Sequence, residues 1–219
     1  MPWLEKVLVR ARYAGVNVSD VNAIAGRFNS EIFEPRFDLG FKSVGDIFAV
    51  GAHVGGFKVG DAVATLNFSK LGAFAEYQCL RAEHVFPVPK AVPEIVPLLM
   101  KGQTAVIGLD RHGRIRAGET VLVTSGAGGL GHLVVQCARA ARCHAVATCS
   151  SDQKEAYLRS LGCEVVVNYC NGDLDAELSR AYTDGFDVFW ETIGGKTFDV
   201  LFSKLRHRGR LMVVGAASC

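Results

Sequence analysis

The chain has 219 residues, 49% of them hydrophobic and 21% charged, with a formal net charge of +2. That length suits one large domain or two modest ones, and the composition excludes a disordered chain. So even a balance leaves no electrostatic footprint for nucleic acid or an anionic membrane surface.

Up to about Val96 the pattern predicts short strands punctuated by glycine: Val7–Tyr13, Gly40–Val50, Asp61–Leu66, Ala73–Cys79 and His84–Val88. Turns are read at Gly55-Gly56 and at Val59-Gly60-Asp61. Close spacing of short strands predicts a small β-barrel-like lobe over residues 1–96. From Pro97 the rhythm changes. A connecting helix over Leu98–Leu109 leads to strands at Thr120–Thr124, His144–Cys149, Glu164–Asn168, Phe186–Glu191 and Arg210–Val214. Helices fill the gaps over Leu130–Ala141, Asp152–Leu161, Asp173–Tyr182 and Lys196–Leu205. Such alternation forces right-handed crossovers and a parallel sheet, so residues 97–219 are predicted as a doubly wound α/β domain. Five such strands are counted, where the full pattern has six. The basic clusters Arg111–Arg116 and Arg206–Arg210 each stand beside a glycine and are predicted as solvated turns.

Residues 121 to 131 carry the strongest local signal: an apolar strand runs into Thr-Ser-Gly-Ala-Gly-Gly-Leu-Gly and then into a helix. That is the phosphate-cradling turn of a dinucleotide-binding fold. Gly126 is assigned the tight turn, Gly128 the close approach of a pyrophosphate, and Gly131 the close packing of helix on strand. Gly129 and Leu130 complete the cradle, at the positive end of the helix dipole. Thr120 to Ala138 has no charged side chain, but its glycines, Ser125, His132 and Gln136 exclude a membrane span. Glu5, Lys6 and Arg10 break up any secretory apolar run. The seven cysteines form no C-x-x-C pair and read as reduced thiols of an intracellular protein, cytoplasmic or organellar.

Several stretches together resemble the zinc-free quinone oxidoreductase branch of the medium-chain dehydrogenase/reductase superfamily, and within it the 15-oxoprostaglandin 13-reductase type. They are Ala14-Gly-Val-Asn-Val-Ser-Asp20, Phe57-Lys-Val-Gly-Asp61, Gly72-Ala-Phe-Ala-Glu-Tyr77, the glycine-rich turn, Cys143-His-Ala-Val-Ala-Thr-Cys-Ser-Ser-Asp152, Leu161-Gly-Cys163, Asn168-Tyr169 and Glu191-Thr-Ile-Gly-Gly195. The resemblance implies a Rossmann domain preceded by a GroES-like β-barrel lobe, with the nicotinamide at the cleft between them. Zinc-dependent relatives place Cys-His where this chain has Asn17-Val18, and His-Glu where it has Phe41-Lys42. Val and Phe cannot ligate zinc and Asn is a poor ligand, so no metal is expected.

The end of the second Rossmann strand bears on the coenzyme. An NAD enzyme usually has an acid there for the ribose 2′-hydroxyl. This chain has Cys149-Ser150-Ser151, with Lys154 a turn later. Hydroxyls and a cation suit a 2′-phosphate, so NADPH is expected, although Lys154 taken alone also reads as a solvated helix residue. The resemblance adds Tyr169 as a further phosphate contact. It also places Thr104 near the nicotinamide, with Ile193, Val214 and Gly215 lining it through backbone groups. Thr104 would look the same as a plain helix-start residue.

Asn17 is the candidate catalytic residue, positioning cofactor or substrate; its other reading is a turn cap beside Ser19 and Asp20. The reaction implied is hydride transfer from NADPH to the β-carbon of an enone, or to a quinone, with no nucleic-acid or membrane partner. Lys42 reverses the charge of its counterpart in relatives, so it either reaches solvent or alters the pocket. Relatives extend beyond both ends, with a tyrosine-bearing loop and a sixth strand that serves homodimers. The chain therefore reads as truncated. The alternatives are a catalytically inactive NADPH-binding or crystallin-like structural homologue, or a product too short to fold stably.

Overall fold

The computed structural model describes residues 3–27, 38–68 and 71–215. The chain divides into two compact units, residues 1–100 and 101–219.

The first unit is built on one antiparallel sheet of five strands. They are β1 (Lys6–Ala14), β2 (Lys42–Val50), β3 (Ala62–Leu66), β4 (Tyr77–Arg81) and β5 (Val85–Pro87), in the order β4-β1-β2-β3-β5. The inward residues Val7, Val9, Ile47, Val63 and Val85 form its core. β4 and β3 are not neighbours in the sheet. Even so, Thr65 on β3 donates to Gln78 on β4 at 3.3 Å, and Gln78 donates to Ser43 on β2 at 2.6 Å. Only a curled sheet brings these side chains together, and the buried trio satisfies its own polar atoms inside the curl.

Two sequence expectations need correction here. The fourth strand lies at Tyr77–Arg81 rather than Ala73–Cys79, because pairing with β1 sets Val7 opposite Leu80 and Val9 opposite Gln78. A helix, α1 (Val18–Ile24), occupies a stretch for which no helix is expected. Its apolar Val18, Val21 and Ile24 face outward, so the usual inward stripe gives no warning.

Helical turns then follow one another: α2 (Ile95–Pro97), a wide π turn over Leu98–Gly102, α3 (Gln103–Ile107), and a second π turn over Gly108–His112. The predicted single helix is thus loosened at both glycines. Gly108 has a packing reason: a Cβ there would come within 2.5 Å of the Trp190 ring.

The second unit is the doubly wound Rossmann sheet. Its strands are β6 (Thr120–Val123), β7 (His144–Cys149), β8 (Val165–Asn168), β9 (Phe186–Glu191) and β10 (Leu205–Val213), all parallel, in the order β10-β9-β6-β7-β8. The crossover helices are α4 (Gly131–Ala140), α5 (Asp152–Ser160), α6 (Leu174–Ala181) and α7 (Gly195–Phe202). Alternate residues of each strand point to opposite faces. Val121, Val123, Ala147 and Trp190 pack with Val134 and Val135 of α4 and Leu158 of α5. Leu122, Val146 and Phe189 pack on the other side with Leu178 of α6 and Leu201 of α7. Reversal of direction at β6 and β9 makes the switch point of the sheet.

The Arg206–Arg210 cluster is not a solvated turn. It lies within β10, which bulges at Arg208 (φ 63°), and it is paired: Arg206 with Asp187 and Arg210 with Glu119, each at 2.7 Å. Those partners draw the cations back onto the sheet.

Candidate functional site

The turn after β6 is shaped by close approaches. Ser125, not a glycine, takes the left-handed backbone (φ 49°), and its carbonyl accepts the Gly128 N–H at 2.8 Å. Gly126 therefore serves packing rather than the turn itself. Its N–H donates to the Thr148 carbonyl at 2.9 Å, and a Cβ on it would lie 2.6 Å from that of Ala147. A Cβ on Gly131 would overlap the Ser125 carbonyl and stand 2.8 Å from Gly126 Cα, so helix and strand meet there without room for a side chain. One on Gly128 would lie 3.0 Å from the Ser125 hydroxyl.

The N–H groups of Gly129, Leu130 and Gly131 have no acceptor among the described residues. No acid stands in the first turn of α4. Unpartnered donors at a helix N-terminus, in a cradle that any Cβ would narrow, fit an anionic diphosphate. His132 closes one side, its Nδ1 and the Gly128 carbonyl 2.8 Å apart.

Beyond β7 the structure brings Ser150 and Lys154 together: the Lys154 ammonium donates to Ser150 Oγ at 3.0 Å. Ser151 caps α5 and accepts the Lys154 N–H at 3.4 Å, so its hydroxyl is already engaged. Asp152 is the adjacent acid; Asn168 and Asn171 both donate to its Oδ1. Tyr169 donates its backbone N–H to the Cys149 carbonyl at 3.1 Å, which sets it beside the end of β7 with its ring exposed.

At the switch point, Thr124 and Thr192 bridge β6 and the end of β9. The Thr192 N–H donates to Thr124 Oγ1 at 2.9 Å. Glu191 is buried, and its Oε1 accepts from both Ile193 N–H and Gly194 N–H, the latter at 2.6 Å. Ile193 thus has only its carbonyl left to offer. The Val214 N–H is likewise engaged, by the Glu191 carbonyl at 2.9 Å, and Gly215 stands beside Thr192. Thr104 lies half-buried on α3, which packs against α4.

In the first unit, Asn17 caps α1 with extended backbone (φ −132°, ψ 159°). Its backbone N–H donates to Asp20 Oδ2 at 2.7 Å, and its amide nitrogen to the Gly15 carbonyl at 3.0 Å and to Asp20 Oδ2 at 3.2 Å. Both donor hydrogens are committed, and the group left without a partner is Oδ1. Lys42 is 2% exposed, its stem packed against Gly15, so of its two readings the one in which it reaches solvent does not hold. The same unit holds a cleft of about 330 Å³ lined by Phe41, Phe74, Tyr77, Asp38 and Asn67.

Sequence reasoning passed over Lys101, Thr124 and Glu191. Glu191 had a signal: an acid closing an apolar strand just before Gly194-Gly195 must satisfy N–H groups there. Lys101 had none, because a π turn aims it at Gly129. The described cysteines are all free thiols, and Cys219 lies outside the described residues. Burial pushes the Cys163 thiol up to about 11, and pushes Cys143 and Cys149 in the same direction. They behave as core residues. No cluster of three or more His, Cys, Asp or Glu that could hold a metal ion occurs among the described residues, and no described helix is long and apolar enough to cross a membrane.

The first unit is a curled antiparallel sheet, and the second a doubly wound sheet whose glycine-rich first crossover is the architecture of dinucleotide-binding folds. The sequence profile described as "Alcohol dehydrogenase GroES-like domain" matches residues 4–90, and that described as "Zinc-binding dehydrogenase" matches residues 129–218. Prostaglandin reductase-3 of Mus musculus is 40% identical over 213 residues, covering 97% of this chain and 55% of its own length. The same-named protein of Bos taurus is 43% identical with equal coverage. The crystal structure of a Pseudomonas syringae quinone oxidoreductase superposes with a TM-score of 0.86 at 27% identity, over 98% of this chain and 66% of that one. The chain belongs to the medium-chain dehydrogenase/reductase superfamily, whose members use nicotinamide cofactors. It spans about half the length of the prostaglandin reductases it matches.

Proposed function

We infer that the chain binds NADPH on the glycine-rich turn and serves a reductase that transfers hydride to the double bond of an α,β-unsaturated ketone, 15-oxoprostaglandin-like in class, or to a quinone. One observation carries the coenzyme choice: the Lys154 ammonium and Ser150 hydroxyl converge at 3.0 Å where an NAD enzyme would hold an acid. Asp152 does not undo this, since two asparagine amides engage its carboxylate.

Bound NADPH supplies the hydride and the reducing equivalents. The chain's residues supply position. The N–H groups of Gly129, Leu130 and Gly131 hold the diphosphate, with Gly128 leaving the cradle open and Gly126 letting the turn pack on Ala147. Ser150, Lys154 and Tyr169 hold the 2′-phosphate, while Ser151 orders the helix that presents Lys154. Thr104, Ile193, Val214 and Gly215 line the nicotinamide. Asn17 positions cofactor or substrate, a reading supported by its buried Oδ1, which has no partner among the described residues. Homodimeric assembly and an intracellular setting belong to the same reading, the latter supported by the free thiols.

The test is a fluorescence titration of the chain with NADPH and NADH in parallel. Preference for NADPH by about tenfold or more is expected from a charge-assisted 2′-phosphate contact. Equal affinities overturn the coenzyme assignment. A chain that melts cooperatively yet binds neither is the inactive alternative.

A further inference from the structure

Lys101 lies on the π turn over Leu98–Gly102, at the start of the second unit. Its stem runs along the glycine-rich turn. A Cβ built on Gly129 would lie 3.4 Å from Lys101 Cε and 3.5 Å from Cδ, and would overlap the ammonium nitrogen itself. The ammonium therefore stands directly over Gly129. No ion pair or hydrogen bond engages it among the described residues. Beneath it are the unpartnered N–H groups of Gly129, Leu130 and Gly131, and the first turn of α4 carries no acid.

A cation placed over a helix N-terminus is unfavourable by itself, because dipole and charge have the same sign. A flexible lysine side chain can relieve that repulsion by turning to water. Here it lies against Gly129, and an anion bound at the turn, contacting the ammonium from one side and the backbone donors from another, would convert the repulsion into two attractions. We propose that Lys101 is a diphosphate-binding residue, supplying its ammonium beside Gly129 to the bridging phosphates of the dinucleotide. This rests on the assignment of the cofactor to that turn. It adds a charged contact to a cradle otherwise made of neutral backbone groups, and it is separate from Lys154, which sits at the end of β7.

The two lysines are then distinguished by ligand rather than by overall affinity. ADP-ribose carries the diphosphate without a 2′-phosphate, and 2′-AMP carries the reverse. In competition against NADPH fluorescence, Lys101→Met should weaken ADP-ribose and NADPH by about tenfold each and leave 2′-AMP within about twofold. Lys154→Met should weaken NADPH and 2′-AMP and spare ADP-ribose. Lys101→Arg should restore most of the ADP-ribose affinity, and each variant should melt as the parent chain does. If Lys101→Met leaves ADP-ribose binding unchanged, or weakens 2′-AMP as much, the diphosphate assignment is overturned. If the parent chain binds none of these ligands, it is the cofactor reading that fails. Protection of Lys101 from amine acetylation by ADP-ribose, read by mass spectrometry, gives the same answer without substitution; equal labelling with and without the ligand counts against the contact.

Discussion

The turn after β6 and the corner at Asn17 are both short polar segments leading into a helix, yet they treat hydrogen bonds in opposite ways. The corner commits its donors: one Asp20 oxygen accepts from both the backbone and the side chain of Asn17, and Gly15 takes the remaining amide hydrogen. The turn withholds them, leaving the N–H groups of Gly129, Leu130 and Gly131 facing outward with an ammonium above. Satisfied donors make a rigid joint. Donors left open make a binding site, because an anion completes bonds the fold has not made.

The sharpest way to break this contrast is at Gly131. Gly131→Val forces a side chain into the Ser125 carbonyl, and should cost about 1–3 kcal/mol of stability while abolishing saturable nucleotide binding. Melting and titration together check it; normal binding by the variant would mean that the turn does not hold the cofactor. Next comes Ser150→Asp, which sets a carboxylate where a 2′-phosphate is expected. NADPH affinity should fall roughly tenfold to a hundredfold with NADH little changed. Loss of both coenzymes in equal measure would show only local damage.

At the corner the effect is smaller and of the other kind. Asp20→Ala removes the acceptor that Asn17 relies on, and should destabilise the chain by about 1–2 kcal/mol with NADPH affinity unaltered. A large binding defect at unchanged stability would place Asp20 in the site rather than beneath it.

The smallest effect concerns the thiols. Cys163 is raised by burial from an ordinary 9.0 to about 11. In this window the unfolded chain loses the proton while the folded chain keeps it, so the contribution to stability is intact below pH 9.0 and declines as pH rises towards 11. Melting temperatures across that range should fall less steeply in Cys163→Ala. In the same chain, exposed Cys79 and Cys170 should react with a thiol reagent at once, and buried Cys143, Cys149 and Cys163 only on unfolding.

Much of the second unit was legible because its signals are local. Strands such as Thr120–Val123 are buried along their whole length, and each ends at a glycine, an N-cap or a polar turn that chemistry alone marks. The first unit was less so. Its fourth strand is placed by pairing with β1, which composition does not record, and α1 presents apolar residues outward, so no periodicity announces it. Within the site, the contact between Ser150 and Lys154 follows from helical spacing after a capping serine. The direction of the Asn17 amide depends on the position of the Asp20 carboxylate and the Gly15 carbonyl in three dimensions.

By itself, then, the sequence determined the alternation of strand and helix, the glycine-rich turn and the hydroxyl-and-cation pair at the end of the second parallel strand, since each depends on residues within a few positions of one another. Only the tertiary structure decided that Gly126 serves packing against Ala147, that Lys42 is buried, that Arg206 and Arg210 are held by Asp187 and Glu119, and that the Lys101 ammonium stands over Gly129. Each of these joins residues far apart along the chain. Their geometry is set by packing, which no stretch of sequence states alone.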